Sequence, residues 1–312
     1  VANDGVSSLG LSLAAAQQLN NKLTSCPNSA ICESLCLGDT SGGNLMFGGV
    51  MREGDEVNTS FRAAGRLSQY LKTEALVINP EDTIILLNNQ ITNFKKRVAK
   101  QNKTPAVRLN VLSDFPRKFF LPLMNNHPDV EFYDYSKLDA DPLAPNHHIT
   151  YSSTGVMQRV DGEVVGGNAH KLHNWSTMRR RLMNGDNIAM AFSNKSKLPS
   201  FVVDEETGRK FEVFNGDVYD ARFLDPKRED GIGLIIGLKN KDGTSTNKNA
   251  AQRSNGFFVH YDPSQDGDTV TILDQNKFPK EVKEIKFTKT TRQVEDKIDR
   301  AISNANAVKQ YS

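Results

Sequence analysis

The residues with the clearest chemical potential are three cysteines, Cys26, Cys32 and Cys36, the only cysteines in the chain, which fall within an eleven-residue stretch. Cys26-Pro27 reads as a loop, and Ser29 is a fair N-cap for a short helix behind it. Cys32 and Cys36 are four apart and would share one face of that helix, one turn from each other. A loop cysteine followed by two on one helical face can bring three sulfurs to a point. Thiolates favour iron–sulfur clusters and zinc. Three of them can hold a [4Fe-4S] cluster with one iron left open, and an open iron can take a small ligand such as S-adenosylmethionine. Two alternatives stand beside this: zinc, with a histidine or aspartate as fourth ligand, and cysteines without metal, including one disulfide plus one thiol. The spacing of five and then three intervening residues does not choose among them.

The rest of the composition narrows the setting. With 38% hydrophobic and 24% charged residues over 312 positions, the chain has the make-up of a globular protein with a sizeable core. Lys+Arg is 39 against Asp+Glu 37, a net charge of +2 that argues against a general nucleic-acid binder driven by bulk charge. No apolar run is long enough to span a membrane. The apolar stretch from Leu9 to Ala16 has no positive residue ahead of it, so it is not read as a secretory leader. A reducing cytoplasm is the expected compartment, where clustered cysteines serve as ligands or catalysts more often than as disulfides.

The elements that would position a site alternate along the chain. Ala106–Leu112, Val130–Tyr135, His147–Ser152 and Asn187–Phe192 read as strands. Asp82–Lys100, Pro116–Asn126 and Lys171–Asn184 read as helices, the last ended by Gly185. This rhythm predicts a parallel sheet, open or closed into a barrel. Beyond about Lys195 come short strands over 211–214, 232–238, 256–261, 269–274 and 284–288, a polar loop over 239–255 and an amphipathic terminal helix over 293–309.

The cysteine segment, followed by Thr40-Ser-Gly-Gly43, resembles a family of uncharacterised phage and plasmid proteins related to the mycobacteriophage gene-product-88 domain. The likeness continues through Ala106–Asp114, Pro128–Lys137, Leu143–Ser153, Asn215–Asp225 and Ile235–Lys239, in that order. The resemblance implies an α/β fold, a partial (β/α) barrel like that of the radical S-adenosylmethionine enzymes, over residues 1–240, with the cysteines after the first strand. Residues 241–312 would form a C-terminal extension of loop, short strands and a terminal helix. It also implies a phage or plasmid setting, the virion included, with phage or plasmid proteins as partners. A non-enzymatic reading accompanies it: a virion structural or replication-accessory protein whose cysteines hold a structural zinc.

Parallel sheets and barrels carry their sites at the C-terminal ends of the strands. There the sequence offers Arg108, Asn110, Ser113 and Asp114, then Tyr135 and Lys137, then Ser152 and Ser153. These are the expected contacts for a cofactor or small ligand. Arg108 and Asn110 share a face by two-residue alternation. Inward-pointing polar groups are costly unless they bind something or each other, so a buried network of Arg108 with Asp134 or Asp114 is the competing explanation. Asn215, Asp217, Asp220, Arg222 and Asp225 fit either a polar-ligand or Mg²⁺ site or, better, a turn stapled by an Arg–Asp pair. His147, His148, His170 and His173 are candidate further ligands. Arg179-Arg180-Arg181 beside Trp175 reads as a solvated helix face before it reads as a phosphate site.

Overall fold

The computed structural model describes residues 4–14, 25–26, 61–166, 175–240 and 256–277. Within them a nine-stranded sheet runs in the order β1-β2-β3-β4-β7-β10-β9-β8-β11. Its strands are β1 (Val6–Gly10), β2 (Thr104–Arg108), β3 (Glu131–Ser136), β4 (His147–Ser152), β7 (Ile188–Phe192), β8 (Phe201–Asp204), β9 (Lys210–Asn215), β10 (Ile235–Lys239) and β11 (Thr269–Ile272). All neighbours pair in parallel except β8 with β9, so β8 and β11 oppose the other seven. A separate antiparallel hairpin joins β5 (Gln158–Val160) to β6 (Glu163–Val165). The architecture is therefore mixed α/β with a large, mostly parallel sheet. Among the described residues β1 and β11 are edges, and no closed barrel is seen.

Parallel neighbours need a crossover. The first is a pair of helices, α1 (Phe61–Ile78) and α2 (Pro80–Ala99). The start of α2 is written locally: the Asn79 side chain accepts from Asp82 N, Pro80 opens the first turn, and Glu81 and Asp82 face the positive end of the helix dipole. Its stripe of Ile84, Ile91, Phe94 and Val98 is buried. A 3-10 turn (Arg117–Phe120) and α3 (Leu121–Asn126) make the second crossover. A helix α4 (Trp175–Met183) precedes β7 and ends as expected at Gly185, whose φ of +86° suits a residue without Cβ.

Helices cover one face of the sheet. Leu9, Val107 and Phe132 from the strands, with Leu109 just past β2, pack with Leu76, Ile84, Ile91, Phe115, Phe119 and Phe120. Tyr151, Ile188, Met190 and Ile235 pack with Trp175, Met178 and Leu182 of α4. By register the opposite face of β1–β4 carries Ser8, Arg108, Tyr133, Tyr135, His148, Thr150 and Ser152, a mostly polar set.

Most predicted strands and helices appear, with shifts. β2 begins at Thr104 and ends at Arg108, because Asn110 takes over the backbone of the next turn. Only an isolated bridge, Phe192 with Val259, stands where a strand was expected over 256–261. β1 stands ahead of the cysteines, where the resemblance implies a first strand, whereas β8, the β5–β6 hairpin and α1 carry no sequence expectation. Residues 171–174, 241–255, 284–288 and 293–309 lie outside the described residues.

Candidate functional site

Two polar groups meet at the C-terminal edge of β1–β4. The first is built on the loop after β2. Asn110, 3% exposed, accepts from Ser113 Oγ at 2.8 Å and Phe115 N at 2.9 Å, and donates to Phe115 O at 3.1 Å and Asp134 Oδ2 at 2.7 Å. Both donors and both lone pairs of its amide are thus engaged. Asn110 positions the loop and has nothing left for a ligand. Asp134, on β3, also accepts from Tyr135 N at 3.0 Å. Burial pushes its carboxyl up to about 7, against the pull of the Asn110 hydrogen bond and the Arg108 charge.

Cys26 sits on this loop. Its thiol lies 3.7 Å from the Leu112 carbonyl and 3.7 Å from Ser25 Oγ. Asp114 N donates to the Ser25 carbonyl at 2.9 Å, and Ser25 Oγ donates to the Ala14 carbonyl. The chain that follows β1 is therefore fastened to the chain that follows β2. Cys32 and Cys36 lie outside the described residues, as do His170 and His173. Among the described residues no three His, Cys, Asp or Glu side chains converge as a metal site.

The second group lies on the polar face. Arg108 Nη1 is 3.0 Å from each carboxylate oxygen of Asp220. Its guanidinium lies over the Tyr135 ring, 4.9 Å from the centroid. Tyr133 donates its hydroxyl to Asp220 Oδ2 at 3.0 Å and lies 3.2 Å from Ser8 Oγ. Burial and the Asp220 charge push the Tyr133 phenol up to about 12, so it stays a proton donor. The partner of Arg108 is thus neither Asp134 nor Asp114. Arg108 and Asn110, expected to act together from one face, serve different partners, because the strand ends between them.

Asp220 arrives on a strap over 215–225 that crosses this face. Asn215 Oδ1 accepts from Asp217 N at 3.1 Å, the turn chemistry its sequence suggests. Arg222 is 5% exposed; it donates to the carbonyls of Gly216 (3.0 Å), Asp220 (3.3 Å) and Tyr219, and faces Asp225 at 3.5 Å. Burial raises the Asp225 carboxyl to about 6 despite Arg222. A Cβ on Gly216 would stand 2.5 Å from Ile236 Cγ2 and 2.8 Å from Arg222 Nη1, so the strap lies flush on β10 only with glycine there. Phe223 packs on Tyr133 and His148, with ring centroids 5.8 and 5.3 Å away.

Lys137 and Ser152 are half-buried at the same edge, directly after β3 and at the end of β4. Ser153 caps the turn that follows, accepting from Gly155 N at 3.1 Å. His147 and His148 both make contacts within the fold. His147 Nδ1 accepts from Leu143 N at 3.1 Å, and burial lowers the ring to about 4; His148 Nε2 pairs with Glu131 at 2.6 Å. Of the arginine run only Arg180 faces solvent, as three adjacent helical residues cannot share one side, and each member is ion-paired. Arg179 reaches Asp204 at 2.8 Å and Glu206 at 2.5 Å, Arg180 binds Asp139, and Arg181 binds Asp139 at 2.7 Å and Asp186 at 3.2 Å. These pairs anchor α4 to its neighbours.

Sequence reasoning named Arg108 and Asp220 separately and missed Tyr133 and Ser8. The signal available was parity, since both share a sheet face with Arg108; what brings Asp220 to Arg108 and Tyr133 is contact across 112 and 87 residues, and Ser8 joins through Tyr133. No helix among the described residues is long and apolar enough to cross a membrane. Comparison with curated proteins and with solved structures finds no match. The gene product 88 family model, by contrast, matches residues 2–260, which include Cys26, Cys32 and Cys36, the loop after β2 and the strap. That span covers most of the chain and bears out the resemblance carried by the motifs: the protein belongs to the gene product 88 family.

Proposed function

We propose that this chain is an iron–sulfur protein in which Cys26, Cys32 and Cys36 hold a [4Fe-4S] cluster at the C-terminal edge of the sheet, with S-adenosylmethionine or another small ligand at the open iron. The observation that carries the reading is the place of Cys26. Its thiol rests on the loop after β2, at the edge where parallel strands present their functional groups. The donor set fits the group, since three thiolates satisfy three irons of a cubane and leave one free. The cluster when bound would supply one-electron chemistry. The chain's own residues hold the setting: Asn110 and Ser113 fix the loop, and Asp134, kept largely neutral up to about pH 7, adds little negative charge beneath a thiolate-rich site. Arg108, Lys137 and Ser152 line the same edge and would orient a polar ligand, with Asp114 beside Ser25. The in-sequence order of β1 to β4 supports the finer reading of a partial barrel like that of the radical S-adenosylmethionine enzymes. The expected setting is the cytoplasm of a bacterial host or the virion, among phage or plasmid proteins.

Anaerobic purification and reconstitution of the full chain, followed by iron and sulfide analysis, tests this. About four irons per chain are expected, with strong loss in each of Cys26→Ala, Cys32→Ala and Cys36→Ala. Full iron content in those variants overturns the proposal. One bound zinc per chain in place of iron also overturns it, and favours the structural-metal alternative.

A further inference from the structure

We infer that Arg108, Tyr133 and Tyr135 form a binding site for the anionic head of a small molecule, a carboxylate or phosphate group, and that Asp220 occupies it as an internal stand-in. The ion pair is lopsided. The Arg108 side chain is 18% exposed and that of Asp220 58%. A largely buried cation is thus answered by a carboxylate that solvent reaches freely.

The match is also incomplete. Asp220 engages Arg108 through Nη1 alone, while Arg108 Nε is buried and has no partner among the described residues. A guanidinium is a five-donor fork shaped for two-point recognition of carboxylate or phosphate, and among the described residues Asp220 engages only its Nη1 corner. Around it the sheet supplies what an oxyanion needs. Tyr133 holds a phenolic proton aimed at the Asp220 oxygen, and the Tyr135 ring backs the guanidinium plane.

Asp220 can leave without unravelling the strap that carries it. The strap is anchored by Arg222 through the carbonyls of Gly216, Tyr219 and Asp220, and by Phe223 packed on Tyr133 and His148. None of these contacts uses the Asp220 carboxylate. An incoming anion would therefore take over Arg108 and Tyr133 while the backbone of the strap stays in place. The inference rests on the reading of this edge as a ligand site but not on the cluster, so iron content and anion affinity can fail separately.

The test titrates the full chain, purified anaerobically, with inorganic phosphate and in a second arm with acetate, following heat by calorimetry and, for phosphate, ³¹P line broadening. Asp220→Asn removes the competing charge and keeps the shape; it should bind roughly tenfold more tightly than the unaltered protein, the worth of one charge-assisted hydrogen bond. Arg108→Gln should abolish binding in both arms, and Arg108→Lys should leave it weakened. Asp161→Asn, on the β5–β6 turn, removes the same charge elsewhere and should leave affinity unchanged. The arm with the larger gain identifies the head group. The inference is overturned if Asp220→Asn binds no better than the unaltered protein, if Asp161→Asn produces an equal gain, if Arg108→Gln retains affinity, or if neither anion binds any variant. Circular dichroism spectra of Asp220→Asn matching those of the unaltered protein secure the comparison, because this variant leaves every strap anchor intact.

Discussion

Replacing Asp134 with asparagine should alter how stability depends on pH. Asp134 is 1% exposed, and burial pushes its carboxyl from an ordinary 3.8 to about 7. The folded protein therefore keeps a proton there between about pH 4 and pH 7, where the unfolded chain has released it. The unfolded state binds fewer protons in that window, so stability falls as pH rises. The contribution is fully present below the unfolded value and lost as pH passes the folded one. A difference of about three pH units, at ~1.4 kcal/mol each, amounts to about 4 kcal/mol.

Asparagine does not titrate. Its amide keeps one acceptor for Tyr135 N but turns a second donor towards the Asn110 Nδ2 that Asp134 now satisfies, which costs ~1–2 kcal/mol. Near pH 4 the variant should be less stable by that amount. By about pH 8 it should equal or exceed the unaltered protein. Urea unfolding followed by circular dichroism across this range measures the gap, and other titrating groups cancel in the difference. A gap that stays constant within about 0.5 kcal/mol would refute the reasoning. It would mean that Asp134 is ionised in the folded protein, with its desolvation offset by Arg108 and Arg117.

Two further outcomes follow from the packing. Asp204→Ala removes a fully buried carboxylate that accepts from Trp175 Nε1 at 2.7 Å, Arg179 at 2.8 Å and Thr207 at 2.5 Å. Leaving the indole donor unsatisfied in the core should cost ~3 kcal/mol or more, visible as a lower urea midpoint and as altered fluorescence of Trp175, the single tryptophan. Phe119→Ala empties a fully buried position whose ring meets Phe115 and Phe120 edge-on at 5.6 and 5.1 Å. The expected loss is ~3–5 kcal/mol, and a loss below ~1 kcal/mol would mean the α3 end of the core collapses to fill the space.

What could be read from the chain alone is what short-range physics writes into it. Helical periodicity over 82–100 announces α2 because it acts within a few residues, and the structure starts the helix at Pro80, behind the Asn79 cap. Gly185 marks the end of α4 for the same reason, and the apolar run of β7 marks a strand buried in a parallel sheet. The clustering of Cys26, Cys32 and Cys36 is likewise a local fact. Arg108 stood out as a polar residue on a strand, but its partner did not, since Asp220 lies 112 residues away and reaches it only because the strap crosses the polar face of β1–β4. β8 and β11, reversed at the far edge, show the same limit. Backbone pairing places no distinctive demand on side-chain type, so the order and direction of neighbouring strands are decided by which faces pack together. The family and the clustering of the three cysteines were legible in the sequence. The separation of Asn110 from Arg108, the buried Asp134 held by Asn110, and the internal carboxylate on the arginine fork exist only where distant segments exclude water from one another and set the charge each group can hold.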